Sequence, residues 1–249
     1  MPHRSPDAGR PLMYTAEFAE VYEDMYRIRG KDWAAEAEEL VRLIRAEAPW
    51  ATSLLDVACG TGAHLETFAR SMEHVEGLEI AAPMRAVAAR RLPGVTVHAG
   101  DMRDFALGRT FSAVTCMFNA IAYLADAAEM RAAIAAMARH LDPGGVLVVE
   151  PWWFPERFID GYLAADAGQV DGRAVARVSH TTREGRVSRL EARYLVGGSD
   201  GIREFTHVHL LTLFGRDEYH AAFADAGCPA EYREGGLTGR GLFVGVRGA

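Results

Sequence analysis

The sequence predicts an α/β fold, a mainly parallel sheet with crossover helices that carries an antiparallel β insertion after its fifth strand. Three observations carry that prediction. Short apolar runs alternate with amphipathic helical patterns over residues 1–150, as βα units do. A glycine turn follows the first apolar run. After Pro151 the texture changes to longer strand-like segments with no helical pattern between them. With 249 residues, 49% apolar and 24% charged, the chain can bury one large core that includes an elaborated insertion.

Met1 to Pro11 is rich in Pro, Gly and charge and is expected to fray; pattern begins near Tyr14. Asp32 is placed to cap a helix whose apolar stripe is Trp33, Ala37, Leu40, Val41 and Ile44, with Pro49 just past its end. Ser53 to Ala58 reads as a buried strand, followed by a glycine turn and a helix from about Ala63. Val75 to Glu79 reads as a strand, Met84 to Arg91 as a helix, and Val95 to His98 and Ala113 to Phe118 as strands. Met130, Ile134, Met137 and Leu141 mark a helix that Asp142, Pro143, Gly144 and Gly145 stop before the strand Val146 to Glu150, so five βα steps fit residues 1–150. Beyond them, Val175 to His180, Val187 to Val196 and Phe205 to Phe214 predict the insertion, residues 151–215. Asp217 to Ala226 and Gly241 to Val246 predict a helix and strand that complete the core over residues 216–249.

The N-terminus lacks a cleavable apolar run, and no stretch approaches about 20 uninterrupted apolar residues, so the expectation is a cytoplasmic protein with no membrane partner. Cys59, Cys116 and Cys228 show no CxxC spacing and read as packing residues. The net charge of −7 opposes a nucleic-acid partner. Of 27 basic residues only Lys31 is a lysine, so a phosphate clamp must use arginine, whose planar fork suits bidentate contacts.

The strongest local signal is LLDVACGTGAHL, Leu54 to Leu65. An apolar strand delivers Ala58, Gly60 and Gly62 into a tight turn where backbone can approach a ligand closely. A dinucleotide fingerprint wants a third glycine where Leu65 stands, which disfavours NAD. Glu79 ends the next strand 17 positions after Gly62, where a carboxylate can accept both hydroxyls of a ribose; Asp101, in the GDM triplet, can accept from an adenine amino group. A solvated strand end and a helix cap are the plain alternatives for these two residues.

The glycine turn and its acidic strand ends resemble the first motifs of Rossmann-like class I methyltransferases, which implies S-adenosylmethionine as cofactor. MYTAEFAEVYEDMYRIRGKDW from Met13, CMFNAIAYL from Cys116, VVEPWWFP from Val148, RVSHTTREG from Arg177 and the closing GRGLFVGVRG together resemble the N-methyltransferases of nucleotide-linked amino sugars, such as those that finish desosamine and mycaminose. The resemblance spans nearly the whole chain and implies one or two methylations of the amine of a dTDP-linked deoxyamino sugar by a homodimer. It also implies that Tyr14 and Tyr22 lie near the methyl donor and that Met84, Met102 and Met117 line its apolar surface, with core packing as the alternative for Tyr22 and the methionines. Trp152, Trp153 and Phe154 follow the fifth strand, where they can stack a thymine ring or shield the sugar. Asp171 to Arg193 holds six arginines and three acids, a charge balance that suits a diphosphate. Arg177 and Ser179 share a strand face with His180 adjacent; Arg177 and Arg240 are expected to contact the diphosphate, solvated faces being the alternative.

Tyr14, Tyr123 and Glu150 are the candidates for orienting the amine or accepting its proton. The segment around Tyr123 departs from the family's serine-rich CMFSSIG form at Asn119, Ala120 and Ala122, which leaves the amine position open between 3-amino and 4-amino sugars. His207 and His209 share a strand face but lack a third ligand, so they read as surface histidines and no metal is expected. An O-methyltransferase of a sugar or other small natural product is the enzymatic alternative, and a cofactor-binding protein without turnover the non-enzymatic one.

Overall fold

The computed structural model describes residues 14–248, so the expectation of fraying over Met1 to Pro11 lies outside the described residues. Two helices precede the sheet, α1 (Ala16–Ile28) and α2 (Trp33–Glu47). Each starts at a side-chain cap: Thr15 Oγ1 accepts from Phe18 N at 3.2 Å, and Asp32 Oδ1 from Ala35 N at 2.9 Å. The α2 stripe of Ala37, Leu40, Val41 and Ile44 is buried as its spacing predicts, and a fully buried Leu or Ile contributes roughly 1.5–3 kcal/mol.

The core then runs β1 (Ser53–Val57), α3 (Ala63–Ser71), β2 (His74–Glu79), α4 (Ala82–Arg91), β3 (Thr96–Ala99), β4 (Phe111–Cys116), α5 (Ala127–Arg139) and β5 (Leu141–Val149). Only three crossovers are helical, because β3 and β4 are joined by a loop that holds no helix, which corrects the expectation of five βα steps. The helix expected to run to Leu141 ends at Arg139, and Leu141 already pairs with Phe111. A register shift then loops out Asp142 to Gly145, and regular pairing resumes at Ala113 and Val146.

The insertion is a four-stranded antiparallel sheet of β6 (Tyr162–Val170), β7 (Arg173–Glu184), β8 (Val187–Gly198) and β9 (Gly201–Thr212), paired in that order. Helix α6 (Arg216–Asp225) and strands β10 (Ala230–Arg233) and β11 (Leu242–Val246) return to the core, giving the sheet order β10-β11-β5-β4-β1-β2-β3 with β10 and β11 antiparallel. Strand β4 is wholly buried, with the hydroxyls of Ser112 and Thr115 donating to Ser53 O and Asp56 Oδ1, whereas β7 alternates between the two faces of its sheet.

One face of the central sheet packs on α5 and α6 through residues such as Ile134, Met137 and Phe223, the other on α2 and α3 through Leu40, Ile44, Leu65 and Phe68. A third cluster sets Phe18, Val21 and Met25 of α1 against Val175, Ala192 and Tyr194 of the insertion. The approach is close, since a Cβ on Gly168 of β6 would lie 2.9 Å from Ile28. The three cysteines are buried and unpaired, as expected. Among the described residues no helix is long and apolar enough to cross a membrane.

Candidate active site

Strand order reverses at β1, which lies between β2 and β4, and ligands of open α/β sheets bind at the carboxyl ends of strands at such a switch point. The backbone is unusual there. Ala58 after β1 (φ +57°) and Phe118 and Asn119 after β4 (φ +53° and +56°) adopt left-handed conformations without being glycine, each at a cost of order 1–3 kcal/mol that recurs at functional sites. Gly62 (φ +76°) opens α3, and a Cβ on it would lie 3.2 Å from the Ala88 Cβ. Leu65, standing where a dinucleotide site has its third glycine, packs against Gly77 of β2: a Cβ on Gly77 would come within 2.9 Å of the Leu65 Cδ1. The close approach is kept by moving the glycine to the neighbouring strand.

Glu79 locks this turn. It is buried at 3% exposure, and its carboxylate accepts Gly60 N at 2.9 Å and Ala81 N at 2.7 Å. Burial pushes its pKa up while the two N–H donors oppose that shift. Asp101 accepts both Arg103 N and the Arg103 guanidinium Nε, at 2.9 and 3.0 Å, and Arg103 reaches on to Glu129 at 2.7 Å. The structure therefore places the proposed adenine acceptor in an ion pair that caps its own turn. Met84 and Met117 are buried and Met102 is partly buried against the core. A buried Thr61 Oγ1 and Trp33 Nε1 make no hydrogen bond with the protein, so the crevice around the turn holds unpaired polar atoms of the kind a polar cofactor satisfies.

Beside the crevice lies a cavity of about 810 Å³, within the range that takes a whole small ligand. Tyr14, Tyr22, Tyr123, Trp152, Trp153 and Arg240 line it, together with Arg177, Ser179 and His209 of the insertion sheet. The sequence-derived arginines, far apart in the chain, thus meet in one cavity. Phe154 does not join them: it is 2% exposed and packs edge-on to Tyr232, 5.3 Å between centroids, in the core cluster that also holds Tyr219 and Phe243. His180 is also corrected, since it lies on the exposed face of β7, opposite Arg177 and Ser179.

Glu150 is corrected in role. One carboxylate oxygen accepts Phe118 N at 2.7 Å, and the other accepts Thr238 Oγ1 and, at 3.0 Å, Arg240 Nη2. At 1% exposure it does not line the cavity; it anchors the guanidinium of Arg240, which lies over the rings of Trp152 and Phe118 at 5.3 and 5.6 Å. The Arg240 Nε is buried with no partner.

Tyr14 and Tyr123 do meet, with their hydroxyls 2.9 Å apart, and the Tyr123 hydroxyl lies 2.5 Å from His209 Nδ1. Burial raises the pKa of both tyrosines and lowers that of His209, which His207 and Arg177 depress further. His207 and His209 are therefore interior residues, not surface ones; His207 stacks on Phe18 with centroids 4.1 Å apart. The period-2 row Phe205, His207, His209, Leu211 on β9 was the available signal, since its other members are apolar. Lys31 was missed altogether. It lines the cavity, pairs with Glu36 at 2.6 Å and lies about 4 Å above the rings of Trp33 and Phe118. Burial lowers its pKa against the pull of Glu36.

Sheet order, glycine turn and acidic strand end together define a class, the Rossmann-like S-adenosylmethionine-dependent methyltransferases. A family model described as a methyltransferase domain matches residues 54–145. The chain is 54% identical over 235 residues to the dTDP-3-amino-3,4,6-trideoxy-alpha-D-glucopyranose N,N-dimethyltransferase of Streptomyces venezuelae, covering 94% of this chain and 99% of that one. It is 50% identical over 235 residues to the dTDP-4-amino-2,3,4,6-tetradeoxy-D-glucose N,N-dimethyltransferase of Saccharopolyspora spinosa, covering 94% of each. Among solved structures it is similar to a SAM-bound amino pentose methyltransferase from Micromonospora echinaspora involved in calicheamicin biosynthesis. That match has 61% identity and a TM-score of 0.86 over 96% of this chain and 99% of that one. The chain belongs to the family of amino sugar N-methyltransferases to which these enzymes belong.

Proposed function

We propose that this enzyme transfers methyl groups from S-adenosylmethionine to the amine of a dTDP-linked deoxyamino sugar in antibiotic biosynthesis, twice per sugar. The observation that carries the reading is the cavity beside the glycine turn, with aromatic residues and two buried arginines converging on it, in a chain at least half identical to dTDP-amino sugar dimethyltransferases along nearly its full length. The arginines suit the diphosphate, Trp152 and Trp153 the thymine ring, and the tyrosine pair the amine. Relatives acting on 3-amino and 4-amino sugars match about equally well, so the reading covers both positions.

The methyl donor, when bound, supplies an already activated methyl group, so the protein's task is alignment of the amine lone pair. Glu79 and the Gly60–Gly62 turn fix the cofactor's position, Glu150 holds Arg240 against the diphosphate, and Tyr14 faces the amine. Residues 151–215 form the substrate-binding insertion and residues 216–249 complete the cofactor-binding core. We further read the enzyme as a cytoplasmic homodimer; in support, the outward face of the insertion sheet exposes Leu163, Val178, Leu195 and Leu210.

The test is mass spectrometry of dTDP-3-amino- and dTDP-4-amino-deoxyhexoses incubated with protein and S-adenosylmethionine. Protein-dependent gain of two methyl groups on either sugar supports the reading; no gain on both, with cofactor bound, refutes it.

A further inference from the structure

The chain Tyr14, Tyr123, His209 lines the cavity and ends on a residue of the insertion. Its members come from three separate places, the segment before α1, the 3-10 turn Ala120–Tyr123 after β4, and β9. A hydroxyl that both donates and accepts has no direction of its own; the groups at the ends of a chain decide it.

We propose that His209 is a positioning residue that sets the direction of this chain, so that Tyr14 presents a lone pair, not a proton, to the substrate amine. The inference rests on the proposed N-methylation. A phenol is a stronger donor than an imidazole N–H, and an imidazole nitrogen a stronger acceptor than a phenol oxygen, so at 2.5 Å Tyr123 donates to Nδ1. Its oxygen then serves as acceptor, and Tyr14 donates to it across 2.9 Å. The oxygen of Tyr14, with its proton so committed, accepts an N–H of the amine from the cavity.

The consequence is geometric. An amine that donates N–H to Tyr14 keeps its own lone pair for the methyl carbon; as the N–C bond forms, the C–S bond breaks and its electron pair stays on sulfur, and the methylammonium so formed releases one proton to solvent, which restores the lone pair. The reversed chain has Tyr14 donating to that same lone pair and quenching it. Reversal follows if Nδ1 carries a proton. The groups facing His209 oppose the imidazolium: Arg177 and His207 are close enough to act on its charge, the Phe18 ring lies 5.7 Å away between centroids, Tyr14 lies 6.3 Å away, and burial disfavours the charge; in the neutral ring the stronger phenol donor keeps the proton on Nε2. An amine bearing one methyl still has an N–H to donate, so the same device aligns the second transfer.

The experiment is steady-state kinetics of His209→Leu, His209→Asn and Tyr123→Phe against the wild-type enzyme, with products resolved by methyl number. His209→Leu and Tyr123→Phe are expected to lower kcat on the order of 10-fold to 100-fold, the scale of a misaligned reactant, with KM for both substrates within about twofold. His209→Asn, whose amide oxygen takes the place of Nδ1 as acceptor, is expected to recover most of the loss. The double variant His209→Leu/Tyr123→Phe is expected to be no slower than either single one, because both break the same chain. Wild-type kcat in His209→Leu, in Tyr123→Phe, or losses that multiply in the double variant overturn the inference. An unaltered enzyme that methylates no amino sugar overturns the functional reading itself, which separates the two failures.

Discussion

Replacing Arg240 with Met separates substrate binding from structure, because this guanidinium serves both. Its side chain is 10% exposed and pairs with Glu150, itself 1% exposed, at 3.0 Å. Removing one partner of a buried pair costs about 3–5 kcal/mol. Glu150 keeps its bonds from Phe118 N and Thr238 Oγ1, so the lower end, about 3 kcal/mol, is expected, or roughly 6–12 °C in Tm for a chain of this size. Loss of a charge-assisted contact to a diphosphate is worth about 1.5–3 kcal/mol, roughly a 10-fold to 150-fold rise in KM. Adding Glu150→Gln to Arg240→Met removes the orphaned charge, so the double variant regains most of the Tm and none of the KM. The assays are thermal unfolding and kinetics with the dTDP-amino sugar varied. A KM within twofold of wild type in Arg240→Met, alongside the fall in Tm, refutes the diphosphate contact and leaves Arg240 a structural residue.

Three further outcomes are expected. Glu79→Gln weakens S-adenosylmethionine binding by about 10-fold or more by calorimetry, since a charged acceptor shared between the turn and the cofactor becomes a neutral amide with one oxygen; unchanged affinity contradicts the role of Glu79. Gly62→Ala lowers stability by about 1–2 kcal/mol in denaturant unfolding, because an L-residue is placed at φ +76° with its Cβ against Ala88. Asp56, buried in β1 beneath a 2.7 Å bond from Thr115 Oγ1, has its pKa pushed up to about 6 by burial. The folded state therefore binds this proton more tightly than the unfolded one: the group's contribution to stability is full below about pH 4 and is lost as pH rises through about 6, a change of roughly 3 kcal/mol. Asp56→Asn does not titrate, so its stability relative to wild type is expected to improve by that amount between pH 4 and 7.5, and a flat difference contradicts the assignment.

The features legible in the sequence were those written in local pattern. The α2 stripe, the apolar runs of β1 and β4 and the glycine turn announced themselves because burial on one or both faces imposes a period on neighbouring residues. Strand β6 was missed because YLAADAGQV, rich in Ala, Gly and Asp, lacks strand propensity; its place is set by pairing with β7 and by the contact of Gly168 with Ile28. The site followed the same division. Gly60, Gly62 and Glu79 sit at fixed offsets and were readable, whereas the meeting of Tyr123 with His209, 86 residues apart, depends on how the insertion folds over the core. Glu150 looked like a base because a carboxylate at a strand end can be one, and only the tertiary structure shows both its oxygens occupied. Lys31 stood out as the single lysine in the chain, but nothing local places it beside Phe118.

Methyl transfer to nitrogen is distinguished from transfer to oxygen by NMR of the product. The dTDP-amino sugar is incubated with enzyme and S-adenosylmethionine labelled at its methyl carbon. Labelled carbon is expected as one N,N-dimethyl signal correlated to the ring carbon that bears the amine; label on a ring hydroxyl, or no label on a sugar whose binding has been demonstrated, refutes N-methylation.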